Sequence, residues 1–246
     1  MSNLNEIKEH WENEETVSLK DKNLQILERK IILEHLEQIQ PLTVADIGCG
    51  TGEDTIYFSK YCKKLFAFDY SSAMLKKAKK NLENEKNIVL NELNILENDI
   101  KGNFDTVITK RMLINLGSFE NQMMAIKKIH NSLNENGYFI MLETSSDGLK
   151  KLNNLRTKFN LEPIQAPFHN NPFPIEELKN ELMKYFTIEK ISNFSTYFFL
   201  TRVYNPLVNE KDYFKLDAIA KNIAENTKLF ESEIIGPQFC LLLKKK

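Results

Sequence analysis

The segment Val44-Ala45-Asp46-Ile47-Gly48-Cys49-Gly50-Thr51-Gly52 decides how this chain is read. A short β-rich run enters three glycines at alternate positions, and a helical stretch, EDTIYFSKYC, follows them. Strand, glycine turn and helix in that order bring backbone N–H groups close to a ligand. Glycine makes this possible because it reaches positive φ and has no Cβ in the way. A dinucleotide fingerprint needs the spacing G-x-G-x-x-G. Here Gly52 comes one residue early and Glu53 holds the place the third glycine would need. A pyrophosphate there would meet a second negative charge, whereas a cationic ligand would not.

Working outward, KKLFAFD reads as a buried strand ending in Asp69, 23 residues beyond Asp46. A carboxylate at that strand end is placed to accept both hydroxyls of a ribose. SSAMLKKAKKNLENE reads as a helix with Ser71 or Ser72 as its N-cap. NIVLNELNI, FDTVITK and GYFIMLE are further strands, and a helix from about Phe119 to Leu133 lies between the last two. Strand and helix alternating from Thr43 to Glu143 predict an α/β fold. It is a doubly wound, mostly parallel sheet with helices on both faces.

Upstream, Leu24, Leu27, Ile31, Ile32, His35, Leu36 and Ile39 follow a helical period that ends before Pro41. Downstream, TSSDGLKKLNNLRTKF reads as a helix and LEPIQAPFHNNPFP as a loop with four prolines. IEELKNELMKYF is a helix, TIEKISNF a strand, STYFFLTRVYNPLV extended, KLDAIAKNIAENTKLF a helix and PQFCLLLKK a last strand. No Gly/Ser linker interrupts the chain. The expectation is one domain over 1–246, with a helical cap over 1–40 and a ligand-binding core over 41–145. Inserts carrying the sixth strand follow over 144–235 and cover the sheet's carboxyl edge, and the last strand spans 236–246.

Composition narrows the function. The 246 residues carry 33 basic against 34 acidic side chains, for a net charge of −1. That balance lacks the clustered positive charge that displaces counterions from nucleic-acid phosphates. No apolar run approaches the roughly 20 residues that cross a bilayer. The N-terminus shows no basic segment leading into an apolar one, so no secretory signal is expected. Cys49, Cys62 and Cys240 are odd in number and widely spaced, which favours reduced thiols in the cytoplasm. With no H-x-H, C-x-x-C or paired-Asp pattern, no metal is expected. The basic residues divide into 29 Lys and 4 Arg, so each Arg is a candidate for a task needing a planar fork.

The run D-I-G-C-G-T-G followed by F-D-Y-S-S-A-M-L resembles the class I S-adenosylmethionine-dependent methyltransferases. Phe104-Asp105-Thr106-Val107-Ile108 is similar to that family's fourth-strand motif. His130-Asn131-Ser132-Leu133-Asn134-Glu135-Asn136-Gly137-Tyr138 is similar to its helix-to-fifth-strand turn. The resemblance implies a Rossmann-like, seven-stranded sheet, with S-adenosylmethionine as cofactor and S-adenosylhomocysteine as its product. It also implies that Asp46 orders the glycine loop or meets the methionine amino group through water. Gly48, Gly50 and Gly52 would then pass under the methionyl and ribose portions, and Asp69 would bind the ribose. Tyr70 and Met74 would flank the adenine, with Asn94 hydrogen-bonded to it and Ile95 packed on it, while Thr109 and Lys110 border the methionyl part. Asn94 stands where the family often has Asp.

The acceptor must reach the methyl group in line with the sulfur–carbon bond, from above the carboxyl edge of the sheet. His169 is the candidate general base, because its ordinary pKa lies near neutrality. Glu143 is a second base or an orienting group. Arg111, Arg156 and Arg202 can clamp a carboxylate or phosphate. Asn115, Asn170, Tyr197 and Tyr204 complete the expected acceptor wall, and Trp11 is a candidate for an N-terminal lid. The run R-M-L-I-N-L, L-N-N-L-R, the H-N pair and S-T-Y-F-F-L-T-R resemble bacterial methyltransferases of surface-polysaccharide and metabolite pathways. Oxygen methylation of a sugar or polysaccharide precursor by a monomer or homodimer is the expectation. A phosphate, phosphonate or phosphoramidate oxyanion and a small amine are the alternatives, ahead of RNA or protein.

Overall fold

The computed structural model describes residues 4–16, 20–208, 213–227, 229–230 and 233–246. Within the expected cap and cover, residues 1–3, 17–19, 209–212, 228 and 231–232 lie outside the described residues. Seven strands form one sheet: β1 (Thr43–Ile47), β2 (Lys64–Asp69), β3 (Ile88–Glu92), β4 (Phe104–Lys110), β5 (Leu133–Thr144), β6 (Phe186–Asn193) and β7 (Gln238–Lys245). Their order is β3-β2-β1-β4-β5-β7-β6. The first five pair in parallel, and β7 inserts antiparallel between β5 and β6. The seven-stranded, mostly parallel α/β sheet expected from the alternation is the one observed.

Both faces of the sheet are buried, so its strands are apolar at successive positions rather than alternate ones. Ala45, Val107, Phe139 and Met141 face one core, while Val44, Ile108, Ile140 and Leu142 face the other. Helices α5 (Phe119–Ser132) and α7 (Ile175–Leu182) cover the first face. The second is covered by α2 (Lys22–Ile39), α8 (Ser195–Phe199) and α10 (Tyr213–Asn226). Ile47 is level with Phe68 on β2 and Thr109 on β4. The carboxyl ends of β1, β2 and β4 therefore meet where the strand order reverses, the crevice that binds ligands in open α/β sheets.

Two expectations need correction. STYFFLTRVYNPLV is helical, not extended: α8 runs into a wider π-type turn at Leu200–Tyr204 and then α9 (Asn205–Val208). Its aromatic residues suggest a strand, but Tyr197, Phe198 and Val203 pack at helical spacing against the second core. The stretch after the glycine turn forms only one turn, α3 (Thr55–Phe58), before a 3-10 turn at Ser59–Tyr61.

His35 on α2 is 1% exposed, and neither ring nitrogen has a hydrogen-bond partner among the described residues. Burial, followed by the charge of Lys190, lowers its pKa to about 4. The folded state thus refuses a proton that the unfolded chain accepts below about pH 6.5. Its contribution to stability declines as pH falls from 6.5 towards 4. Replacing His35 by Leu is expected to stabilise the protein by about 1–3 kcal/mol, since it removes unpaired buried polar atoms. The same change flattens the acid-side decline, and denaturant titrations at pH 7 and pH 5 read both effects. A destabilised variant at pH 7 would disprove this account of His35.

Candidate functional site

The glycine loop leaves β1 with Gly48 at φ 78° and Gly50 at φ 57°, in the left-handed region. A Cβ on Gly48 would come within 2.3 Å of the Met112 side chain, while one on Gly50 would meet no atom within 4 Å. Gly48 is therefore required by packing, and Gly50 keeps a space open. That space belongs to a cavity of about 970 Å³ along the carboxyl edge, walled by the glycine loop and the segments after β2, β3 and β4. Helix α1 (Leu4–Glu12) and the proline-rich loop complete its wall.

Asp69 is held by the backbone around it. One carboxylate oxygen accepts the Gly50 N–H at 2.8 Å and the other accepts the Ser71 N–H at 2.9 Å. Burial raises its pKa and these amides oppose the rise. Each oxygen retains lone-pair capacity for a further donor. Asp46 accepts the Thr55 hydroxyl at 2.6 Å, which ties β1 to the helix after the loop. Burial pushes the Asp46 carboxyl up to about 7, helped by the neighbouring charge of Asp54 and opposed by the Thr55 bond. Helix α4 (Ser72–Asn81) starts beside Asp69, capped by the Ser71 hydroxyl on the Met74 N–H, and brings Met74 to the cavity.

Tyr70, Asn94 and Ile95 also line the cavity. The Asn94 side-chain oxygen accepts the Leu96 N–H at 3.1 Å, turning the chain after β3. Lys110 lies in a buried charge cluster, 2.5 Å from Asp54 and 3.2 Å from Glu28. Arg29 reaches Asp54 at 2.5 Å and Arg111 reaches Glu28 at 3.3 Å. Lys110 and Arg111 therefore reach the cavity wall with their charges paired to carboxylates. Arg111 itself adopts φ 55°, uncommon for a residue with a Cβ, and its N–H bonds the Leu142 carbonyl at 2.7 Å.

The donor set fits S-adenosylmethionine. An opening at Gly50 admits a ligand along the loop, Asp69 offers oxygen acceptors to a ribose, and Met74 and Ile95 offer an apolar berth to a base. Among the described residues, no group of three or more His, Cys, Asp or Glu side chains could hold a metal ion. No described helix is long and apolar enough to cross a membrane.

On the acceptor side the structure brings together Arg111, Asn115, His169 and Asn170. His169 is half-buried, and its Nδ1 is buried without a hydrogen-bond partner among the described residues. Burial and then the charge of His10 lower its pKa to about 4, so its imidazole is neutral at physiological pH. Asn115 donates to the Arg111 carbonyl at 2.8 Å and accepts the Trp11 indole N–H at 3.3 Å.

Seven expected site residues are not at the cavity wall. Glu143 is fully buried and accepts the backbone N–H groups of Met112, Leu113 and Ile114 at 3.1–3.3 Å. It shapes the loop that faces the acceptor, and burial pushes its pKa up to about 7. Thr109 is buried beneath that loop, and Gly52 packs against Leu82. Arg202 pairs with Asp21, the N-cap of α2, and Tyr197 donates to the same carboxylate at 2.8 Å. Arg156 donates to the carbonyls of Arg202 and Glu162. Tyr204 is half exposed on the cover. Once the 195–208 segment is helical, Arg202 and Tyr197 fasten cover to cap through Asp21 and Arg156 ties the cover together, so of the expected three-arginine clamp only Arg111 lines the cavity.

The sequence reading passed over several residues in and beside the cavity. Glu12 caps α4, accepting from the Ser72 N–H and hydroxyl and from the Ala73 N–H at 3.0–3.2 Å. Thr144 and Gln238 face each other in the β5–β7 register, and both line the cavity. The Thr144 hydroxyl and the Gln238 side-chain oxygen are buried without hydrogen-bond partners among the described residues. A polar residue ending each of two neighbouring apolar strands was the available signal. It became readable only once β7 was known to pair with β5.

The comparisons agree with this architecture. N-methyltransferase NodS from Bradyrhizobium japonicum WM9, solved with S-adenosylhomocysteine, superposes with a TM-score of 0.62 at 12% identity, covering 98% of this chain and 97% of that one. Magnesium protoporphyrin IX methyltransferase from Synechocystis PCC 6803, also with S-adenosylhomocysteine, gives 0.60 at 14% identity, covering 98% and 94%. PH0226 protein from Pyrococcus horikoshii OT3 gives 0.61 at 14% identity, covering 93% of each chain. At these identities the likeness is one of fold. No curated protein matches the sequence. The profile described as "Methyltransferase domain" matches residues 40–190, more than half of the chain, and spans the glycine loop, the Asp69 strand end and the His169 loop. This protein belongs to the methyltransferase domain family.

Proposed function

We propose that the protein is an S-adenosylmethionine-dependent methyltransferase that methylates a hydroxyl oxygen of a small polar acceptor, of the sugar or sugar-precursor kind. The observation that carries this reading is His169, a neutral imidazole on the wall of the cavity with a buried, unpartnered Nδ1. Bound S-adenosylmethionine would supply an electrophilic methyl group on a sulfonium. Gly48, Gly50 and Asp69 would seat it, with Tyr70, Met74, Asn94 and Ile95 around its base and Lys110 near its methionyl end. His169 takes the hydroxyl proton as the oxygen–methyl bond forms and the sulfur–methyl bond breaks. Asn115 and Asn170 orient the acceptor, and α1 together with the proline-rich loop excludes water.

An oxyanion acceptor is less well served, because Arg202 is paired with Asp21 of the cap and Arg156 bonds carbonyls within the cover. The reading takes the enzyme to be cytoplasmic, a monomer or homodimer, acting without nucleic acid or membrane. Transfer of a labelled methyl group from S-adenosylmethionine to a panel of hydroxylated metabolites tests it. The product is expected to carry the label on oxygen, and a product labelled only on nitrogen would overturn the reading. Because the neutral form of His169 persists down to about pH 4, the rate is expected to stay nearly flat from pH 7.5 to 5.5. An ordinary imidazole would lose about nine-tenths of its basic form at the lower end.

A further inference from the structure

His10 and His169 are 159 positions apart in the chain, yet their rings stack face to face, with centroids 4.4 Å apart and planes at 17°. Trp11 meets the same His169 ring edge-on at 5.6 Å, and Phe168 packs edge-on against both histidines. His169 sits in a proline-rich loop without helix or strand of its own, so it has no regular backbone frame to fix it. The partner rings come from α1, which is fastened at the opposite side of the cavity. Glu12 caps α4, the Ser71 hydroxyl donates to the Trp11 carbonyl at 2.8 Å, and the Trp11 indole reaches Asn115. Ser71 also donates its N–H to Asp69, the candidate ribose ligand. One short helix thus joins the cofactor side of the cavity to the acceptor side.

We propose that His10 is a positioning residue for His169, holding the imidazole at the cavity wall by stacking, and that it does so only while α1 is docked on α4. The proposal rests on the reading of His169 as the base and adds how that base is kept in place. Stacking one aromatic ring on another fixes the plane of the second one and excludes water from its face. His10 is the only charged or titratable group whose field bears on His169. Among the described residues, the other rings packed around His169 belong to Trp11 and Phe168. Undocking α1 would expose the imidazole and release its orientation together.

The test uses the full chain saturated with S-adenosylhomocysteine and follows the His169 ring by NMR across a pH titration, with no acceptor present. His10→Ala is expected to raise the His169 midpoint by at least about one pH unit towards 6.5 and to remove the ring-current shift on its protons. His10→Phe, which keeps an aromatic face but not the charge of His10, is expected to hold the midpoint well below that of His10→Ala, because burial is the larger cause of the low value. Glu12→Ala leaves both rings intact but loosens α1, and is expected to move the midpoint as His10→Ala does. An unchanged midpoint and ring-current shift in His10→Ala would overturn the positioning role. A His10→Phe variant indistinguishable from His10→Ala would overturn stacking as its cause, and an unmoved Glu12→Ala would overturn the dependence on docking. Failure of the base reading looks different, since full turnover in His169→Ala would leave every one of these titrations as it is.

Discussion

Replacing His169 by Ala is expected to lower methyl transfer to a hydroxyl acceptor by about 10–10³-fold: a positioned base contributes about 10²–10⁴-fold when its pKa matches the operating pH, and burial leaves His169 weaker than that, with a pKa of about 4. A hydroxyl oxygen attacks a sulfonium methyl well only as its proton departs, so losing the acceptor of that proton reaches the chemical step directly. Cofactor binding should be unchanged, because His169 lies on the proline-rich loop across the cavity from Asp69 and the glycine loop. The loss therefore falls on kcat while the calorimetric dissociation constant for S-adenosylhomocysteine stays at the wild-type value. Folding is little affected, since the residue sits in an irregular loop. If the rate falls less than about threefold, the acceptor needs no base and the oxyanion alternative with Arg111 takes over.

Removing the Asp69 carboxylate acts at the other end of the cavity. Asp69→Ala is expected to weaken S-adenosylhomocysteine by about 10²–10⁴-fold. Two hydrogen bonds from ribose hydroxyls to a charged acceptor are each worth about 1.5–3 kcal/mol, and about 1.4 kcal/mol is a factor of ten. The same change leaves the Gly50 and Ser71 N–H groups without their acceptor, so the glycine loop and the start of α4 loosen together. Asp69→Asn keeps one oxygen and should fall between wild type and Ala. Calorimetry separates the three, and a loss below tenfold in Asp69→Ala would show that the ribose is held elsewhere.

The two variants probe the site from opposite sides and are expected to be nearly additive, because Asp69 and His169 share no direct partner. Helix α1 joins them, since it touches Ser71 and stacks on His169. A measurable coupling between them would therefore report on that helix.

The sequence alone was enough for the sheet and for most of the expected cofactor half of the cavity wall. Glycines at alternate positions after an apolar strand, an acidic residue at the next strand end and regular alternation are local signals. Short-range backbone geometry produces them, so Gly48, Gly50, Asp69 and Met74 were readable in order. The acceptor half was not, because it is assembled from segments far apart in the chain and with no period of their own. Arg156 and Arg202 were singled out for their side-chain type. Only tertiary structure showed that the Asp21 cap and the carbonyls of the cover claim them first. Glu143 at a strand end looked like a base until the fold placed three backbone amides around it. His10 gave no sequence signal, and the polar strand ends at Thr144 and Gln238 gave one that could not be read alone, since what distinguishes each is the neighbour that folding brings to it. Local chemistry decided which residues gather at the end of the glycine strand, and long-range packing decided which other side chains reach the cavity, because an exposed arginine and a clamped one are the same letter.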